Sequence, residues 1–202
     1  MPCIRFFYAP SLCKYISTMR IITLIFMFIT SVAFAQMSES YTDKSAGFNG
    51  SFEFIKEGLP ANWLVYTPKT TRDAKFVMSV DTHDVADGKH AIKWKVEHCS
   101  ASGGWMSPGL AKEFLCTPGT TYLIEFWIKN TGASFRFKTD AVSSKYNFKG
   151  PEFNSNERTD VWKKVTQKIT VPANFSRLRI EFSILGSGTV WLDNVSVKKV
   201  KQ

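Results

Sequence analysis

From Ser51 onward, polar and apolar positions alternate with a period of two, and no stretch keeps the 3.6-residue period of an amphipathic helix. His90–His98 sets Ile92, Trp94 and Val96 against Lys93, Lys95 and Glu97. Thr121–Lys129 puts Tyr122, Ile124, Phe126 and Ile128 on one side and Leu123, Glu125, Trp127 and Lys129 on the other. Ser134–Lys138 alternates Phe135 and Phe137 with Arg136 and Lys138. Arg177–Ile184 sets Leu178, Ile180, Phe182 and Ile184 against Arg179, Glu181 and Ser183. With Ser51–Lys56, Trp63–Thr67, Lys75–Val80, Leu110–Cys116, Val161–Val171 and a last run from Gly188 to Val200, the pattern predicts roughly ten strands. Asp87-Gly88, Pro118-Gly119 and Pro172 supply turns between them. One polar face per strand implies antiparallel sheets, each with one side on a core. Short strands in this number, with no helix between them, predict an all-β fold: a two-sheet antiparallel β-sandwich of the jelly-roll kind.

The first 35 residues stand apart from this pattern. Ile21–Phe34 carries no charge, follows Met19-Arg20 and closes on Ala33-Phe34-Ala35, a small-x-small cleavage pattern. At 14 residues the run is shorter than the roughly 20 needed to span a bilayer. It reads as an export signal cut near Ala35, which places the mature chain in the periplasm or outside the cell, with no transmembrane segment. Gln36 follows the site where a lipoprotein would carry Cys. Residues 1–18 precede a second good start at Met19. They are either untranslated, with Met19 the true start, or an unusually long signal head. Residues 36–48 are polar and aperiodic and read as a flexible arm, leaving 49–202 as one domain. The formal net charge is +9, and removal of Arg5, Lys14 and Arg20 leaves the mature chain basic. Its Lys and Arg are dispersed through alternating strands, the pattern of a solvated surface, so no nucleic-acid partner is expected.

Two cysteines remain after the signal, Cys99 and Cys116, on either side of a glycine-rich loop. An oxidising compartment permits a disulfide between them; two buried thiols are the alternative. Catalytic patterns are missing. His83, His90 and His98 do not form a metal-binding H-E-x-x-H, and no Gly-x-Ser-x-Gly elbow occurs. Glu125 and Glu181 each sit in a register with basic neighbours, which suits a general acid poorly. The chain therefore reads as a non-enzyme.

Six segments, taken in order, resemble a known family. They are Asn49-Gly50-Ser51-Phe52-Glu53, Gly58-Leu59-Pro60-Ala61-Asn62-Trp63, Asp87-Gly88-Lys89-His90-Ala91-Ile92, Pro118-Gly119-Thr120-Thr121-Tyr122 through Lys129, Trp162-Lys163-Lys164-Val165 with Val171-Pro172, and Thr189-Val190-Trp191-Leu192-Asp193-Asn194-Val195. Together they resemble the secreted carbohydrate-binding modules of families 4, 9 and 22, which share the galactose-binding-like jelly roll. The resemblance implies a structural calcium between the terminal strands, held by the carboxylates of Glu53 and Asp193 and the backbone carbonyls of Ser51 and Lys89. The bland alternative makes Glu53 and Asp193 turn and edge residues with local hydrogen bonds. Trp63, Trp94, Trp162 and Trp191 are assigned to the core.

The implied function is non-catalytic carbohydrate binding, with a glycan stacked on an aromatic of the concave face and polar side chains bonding its hydroxyls. If the strands of Trp127, Arg136 and Arg179 are neighbours, Glu125, Trp127, Arg136 and Arg179 share one such face. The other fate for Trp127 is packing under a loop. Trp105, in Ser102-Gly103-Gly104-Trp105, and Tyr146, in the polar segment Ser143–Asn156, are further candidates. The partners expected are a polysaccharide or oligosaccharide, with separately encoded glycoside hydrolases or surface proteins. A protein-interaction or cell-surface adhesion domain of the same fold is the alternative function.

Overall fold

The computed structural model describes residues 47–200, so the expected signal peptide, the start at Met19 and most of the flexible arm lie outside the described residues. Twelve strands follow one another: β1 (Ile55–Lys56), β2 (Leu59–Pro60), β3 (Leu64–Tyr66), β4 (Lys75–Asp81), β5 (Ala91–His98), β6 (Gly109–Leu115), β7 (Thr121–Asn130), β8 (Phe135–Val142), β9 (Asn147–Ser155), β10 (Thr159–Thr170), β11 (Arg177–Ile184) and β12 (Gly188–Lys199). The only helical piece among the described residues is a 3-10 turn at Gly104–Met106. β1 and β2 form a small hairpin. The other ten strands build two five-stranded sheets, β10-β7-β12-β5-β4 and β3-β6-β11-β8-β9, with every pairing antiparallel. The protein is a β-sandwich jelly roll.

The alternation explains the layers. Tyr122, Ile124, Phe126 and Ile128 of β7 face inward from the first sheet, and Leu178, Ile180, Phe182 and Ile184 of β11 face them from the second; all are buried. Aromatic rings lock the sheets together. Phe126 stacks on Phe137 with centroids 4.0 Å apart, and Trp94 meets Phe182 at 5.4 Å. Each buried aromatic of this kind contributes roughly 1.5–3 kcal/mol from area alone. One polar tie crosses this apolar layer. Gln167 of β10 donates to the Phe137 carbonyl at 3.1 Å and accepts from Thr139 of β8 at 3.1 Å, so neither buried amide group is left unpaired.

Four local features depart from the sequence expectation. Ser51–Lys56 is mostly turn, and only Ile55–Lys56 is extended. The turn suits its role, because Gly50 packs where a Cβ would run into the Val195 carbonyl, while its own carbonyl accepts from Val195 N at 2.8 Å. The two ends of the domain thus meet, β12 bulging between Asp193 and Ser196 to receive the N-terminal segment. Secondly, the polar segment after Ser143 contains the edge strand β9. Its Gly150-Pro151 interrupts the alternation, and proline is tolerated because β9 pairs on one side only.

Thirdly, β7 and β8 are not neighbours. Asn130 accepts from Gly132 N and Ala133 N and donates to the Ala133 and Glu157 carbonyls, fixing a turn that carries the chain from one sheet to the other. Lastly, Trp63 and Trp94 lie in the core between the sheets, whereas Trp191, although buried, and the half-buried Trp162 do not. Both lie on the outer face of the first sheet. Lys93 and Lys129 cover the Trp191 ring, and Asp81 and Asp84 accept from the Trp191 and Trp162 indoles.

Candidate functional site: the outer face of the second sheet

The outward residues of β11 are Arg177, Arg179, Glu181 and Ser183, and those of β8 are Arg136, Lys138, Asp140 and Val142. Register sets Glu181 beside Lys138 and Arg179 beside Asp140, with Glu113 of β6 on the other side of Arg179. Tyr66 of β3 completes the centre. Its hydroxyl donates to Glu181 Oε2 at 3.1 Å and accepts from Arg179 Nη2 at 2.8 Å, while the same Nη2 donates to Glu181 Oε2 at 2.9 Å. Burial, reinforced by the Glu181 charge, pushes the Tyr66 hydroxyl up to about 12, so it stays neutral and can relay between the two ions. Lys138 Nζ lies 3.2 Å from Glu181 Oε1 and 3.6 Å from Asp140.

A loop between β5 and β6 rises over one end of this face. Gly103 N donates to Ser107 Oγ at 2.8 Å, and that hydroxyl donates to the Ser100 carbonyl. The sheet grips the loop from below: Ser183 Oγ accepts from Gly104 N at 3.0 Å, and Arg136 Nη2 donates to the Ser102 carbonyl at 3.1 Å. Gly103 has φ +80°, and a Cβ there would strike the Arg136 guanidinium, so glycine is required twice over. Held in this way, Trp105 stands 63 % exposed at the rim.

Between loop and sheet lies a cleft of about 280 Å³, lined by Trp105, Arg136, Lys138, Asp140, Asn147 and Glu181 among others. Glu181 is 3 % exposed, and its Oε1 is held only by the Lys138 ammonium at 3.2 Å; the Arg136 Nε is buried and makes no hydrogen bond. Both residues line the cleft. A buried polar atom without a partner costs on the order of 1–3 kcal/mol, so the Arg136 Nε marks a place where a ligand or solvent group belongs.

The structure divides the sequence-predicted set between two faces. Trp105, Arg136 and Arg179 come together here. Tyr146 stands beside this face, with its ring edge-on to Phe175 at 5.3 Å. Trp127 and Glu125 belong to the outer face of the opposite sheet, with the whole core between. There Trp127 is half-buried between Lys164 and Asp193, and Glu125 pairs with Lys164 and Lys198. Bonds from Lys164 and then Lys198 hold the Glu125 carboxyl below its usual range, against the opposing effect of burial. The expectation of one shared face assumed that β7 and β8 pair, and the Asn130 turn prevents it. Sequence reasoning passed over Tyr66, Asp140, Asn147 and Arg177. Asp140 extends the Arg136, Lys138 alternation and was open to detection; Tyr66 sits in a strand of three residues and Asn147 in the interrupted edge strand.

The disulfide expectation is overturned. Cys99 and Cys116 are free thiols at opposite ends of β11: Cys99 Sγ lies 3.4 Å from the Ile184 carbonyl, and Cys116 N donates to the Ser176 carbonyl. Eight strand residues span on the order of 25 Å, against the ~7 Å between Cα atoms that a disulfide tolerates. Burial raises both thiols, Cys116 to about 11.

The residues expected around calcium clamp a single loop. Glu53 Oε1 accepts from Lys89 N at 2.7 Å and His90 N at 3.1 Å, and Asp193 Oδ2 accepts from Ala86 N at 2.8 Å and Asp87 N at 3.0 Å. Lys89 thus offers its N–H to Glu53, and Ser51 is buried in the turn. Burial raises the Asp193 carboxyl to about 7. Among the described residues no group of three or more His, Cys, Asp or Glu side chains comes together. As arranged, the two carboxylates accept from the amides of the loop before β5.

No protein-family model matches this sequence, and a search of curated proteins finds no match. Solved structures share its fold. The enzymatically active domain of tailspike protein 4 from bacteriophage CBA120 superposes with TM-score 0.55 at 18 % identity over 75 % of this chain, which spans only 21 % of that one. A family 4 carbohydrate-binding module has TM-score 0.55 at 16 % identity, over 77 % of this chain and 100 % of its own. The CBM22-1 xylan-binding domain of Paenibacillus barcinonensis Xyn10C has TM-score 0.51 at 16 % identity, over 76 % of this chain and 93 % of its own. The fold is thus the jelly roll of the carbohydrate-binding-module type. No helix among the described residues is long and apolar enough to cross a membrane.

Proposed function

We propose that this protein binds polysaccharide without cleaving it, on the outer face of its second sheet. One observation carries the reading: an exposed indole, Trp105, overhangs a cleft lined by Arg136, whose buried Nε makes no hydrogen bond, and by the charged and amide side chains of Lys138, Asp140, Asn147 and Glu181. Sugar hydroxyls both donate and accept, so they suit such a mixed lining. The Trp105 face takes the apolar C–H side of a pyranose. Lys138, Asp140, Asn147 and Arg179 supply further polar contacts.

Hydrolysis would need an acid and a second carboxylate facing each other across the scissile bond. Here Glu181 Oε2 is tied to Tyr66 and Arg179, and Lys138 stands between Glu181 and Asp140. On the export reading the protein works in the periplasm or outside the cell, beside separately encoded glycoside hydrolases or surface proteins. Structures of the same fold are described as xylan-binding, so xylan belongs in the first panel.

The test is affinity electrophoresis of the purified protein through gels holding soluble polysaccharides. Retardation by one glycan class is expected, with affinity lost at least tenfold in Trp105→Ala and unchanged in Trp127→Ala. Retardation that survives Trp105→Ala but fails in Trp127→Ala would move the site to the other sheet. A folded sample retarded by nothing would sink the reading and turn attention to a protein partner.

A further inference from the structure

Past Arg179 the face opens into a second and larger hollow, about 500 Å³, that shares Val142, Asn147 and Arg179 with the Trp105 cleft. We propose that this hollow is a subsite for a carboxylated sugar, a uronate residue, of a chain whose neighbouring residues rest against Trp105. The proposal depends on the glycan-binding reading above and adds the chemical class of the ligand.

Arg177 and Arg179 leave β11 on the same side, two residues apart, which puts their Cα atoms about 7 Å from each other. Glu181 pairs with Arg179 at 2.9 Å, and the two arginines share one further carboxylate. Glu113 reaches Arg177 Nη1 with one oxygen and Arg179 Nη1 with the other, each at 3.7 Å, too far for a hydrogen bond. No other carboxylate among the described residues pairs with Arg177, whose side chain is 57 % exposed. Arg179 commits Nη2 to Tyr66 and Glu181, which fixes the plane of its guanidinium and leaves Nη1 with Glu113, at 3.7 Å, as its neighbour on the hollow's edge.

Apart from Glu113, Arg177 and Arg179, the lining is uncharged: Val142, Ser143, Ser144, Asn147, Asn174 and Ser176. With Arg179 tied to Glu181, Arg177 is the cation on this hollow without a hydrogen-bonded carboxylate, held only loosely by Glu113. A guanidinium fork matches a carboxylate with two parallel N–H···O bonds, a geometry Glu113 does not achieve with either arginine. The amides and hydroxyls around them suit the ring hydroxyls of the same sugar. The volume falls within the range of small-ligand sites. Glu113 then acts as an internal competitor, weakly occupying the place of the ligand's carboxylate.

The experiment runs the purified protein against uronate polymers, including polygalacturonate, alginate and glucuronoxylan, each paired with its carboxyl-reduced neutral form. A dextran sulfate gel serves as the control for general charge. At least one acid polymer should be bound tenfold more tightly than its reduced form. Arg177→Gln should bring that polymer down to the level of its reduced form. Glu113→Gln should strengthen the acid form threefold or more and leave the reduced form unchanged, a gain that damage to the fold would not produce. Both positions are solvent-exposed, so both variants should melt close to the parent protein, as thermal unfolding would show.

Equal affinity for acid and reduced forms, both lost in Trp105→Ala, would overturn the uronate subsite and leave glycan binding standing. Dextran sulfate held as strongly as the best uronate, and equally relieved by Arg177→Gln, would reduce the hollow to a general anion patch and also overturn it. No retardation by any polymer, or no effect of Trp105→Ala on any, would remove the glycan reading and the subsite together.

Discussion

Replacing Tyr66 by Phe removes one oxygen from the centre of the site and leaves the ring in place. That oxygen makes two charge-assisted hydrogen bonds, to Glu181 at 3.1 Å and from Arg179 at 2.8 Å. Bonds to charged groups are worth about 1.5–3 kcal/mol each. The direct Arg179–Glu181 contact at 2.9 Å survives, so part of the loss is recovered. Glu181 is buried and cannot turn to water for the missing donor. A net loss of about 2–3 kcal/mol is expected, or roughly 5–10 °C in melting temperature for a domain of this size. Urea unfolding followed by tryptophan fluorescence would measure it, with an unchanged slope showing that the unfolded state is the same. Glycan affinity should fall as well, because Glu181 and Arg179 lose a shared anchor. A change in stability below about 0.5 kcal/mol, the usual effect of a surface substitution, would refute the claim that Tyr66 relays between the two ions.

Three further expectations concern the rest of the fold. Burial alone would raise the Asp81 carboxyl, but hydrogen bonds from the Trp191 indole, the His83 and Asp84 amides and Lys93 outweigh it and hold the group well below the usual carboxylate range. Glu125 is lowered too. A folded value below the unfolded one contributes stability that is fully present above about pH 5 and is lost as pH falls toward 2. Melting temperature should drop over that window, and the deficit of Asp81→Asn should be clearly smaller at pH 2 than at pH 7 without vanishing. Alkylation without reductant should label Cys99 and Cys116 slowly in the native protein and both of them fully after unfolding; a cross-linked pair detected by mass spectrometry would contradict the separation across β11. If the Glu53 and Asp193 carboxylates serve only as acceptors for the loop amides, calcium and EDTA should give the same melting temperature within about 2 °C, whereas a rise of several degrees with calcium would restore the cage that the resemblance implies.

The sandwich was legible because burial of one face writes itself into every second residue, as in Ile92-Lys93-Trp94-Lys95-Val96. Alternation tells which side chains share a face of one strand. It does not tell which strands lie side by side, and Arg136 and Arg179 share a face only because β8 and β11 pair. Trp127 went to the other sheet because a side-chain network at Asn130 decides where β7 hands over to β8, and no periodicity reports such a network. Trp191 was misplaced for a related reason: Val190-Trp191-Leu192 is apolar throughout, and only its cross-strand neighbours Lys93 and Lys129 reveal that the indole faces out. The Trp105 loop was legible as an odd place for an aromatic, and its architecture was not, since the clasp that joins it to Ser183 and Arg136 links residues far apart in sequence.

That clasp bears on how fast and how selectively the protein would capture a chain. The loop that carries Trp105 is already set before any sugar arrives: its Gly103 and Gly104 amides donate to Ser107 and Ser183, and its Ser100 and Ser102 carbonyls accept from Ser107 and Arg136. The entropy of ordering the loop is therefore charged to folding and not to association. A glycan that fits should dock without waiting for closure, at a rate set by diffusion and orientation, and a poor fit should show itself in faster departure. The flexibility needed for recognition then falls to the polysaccharide, which favours segments whose solution conformation already matches the groove.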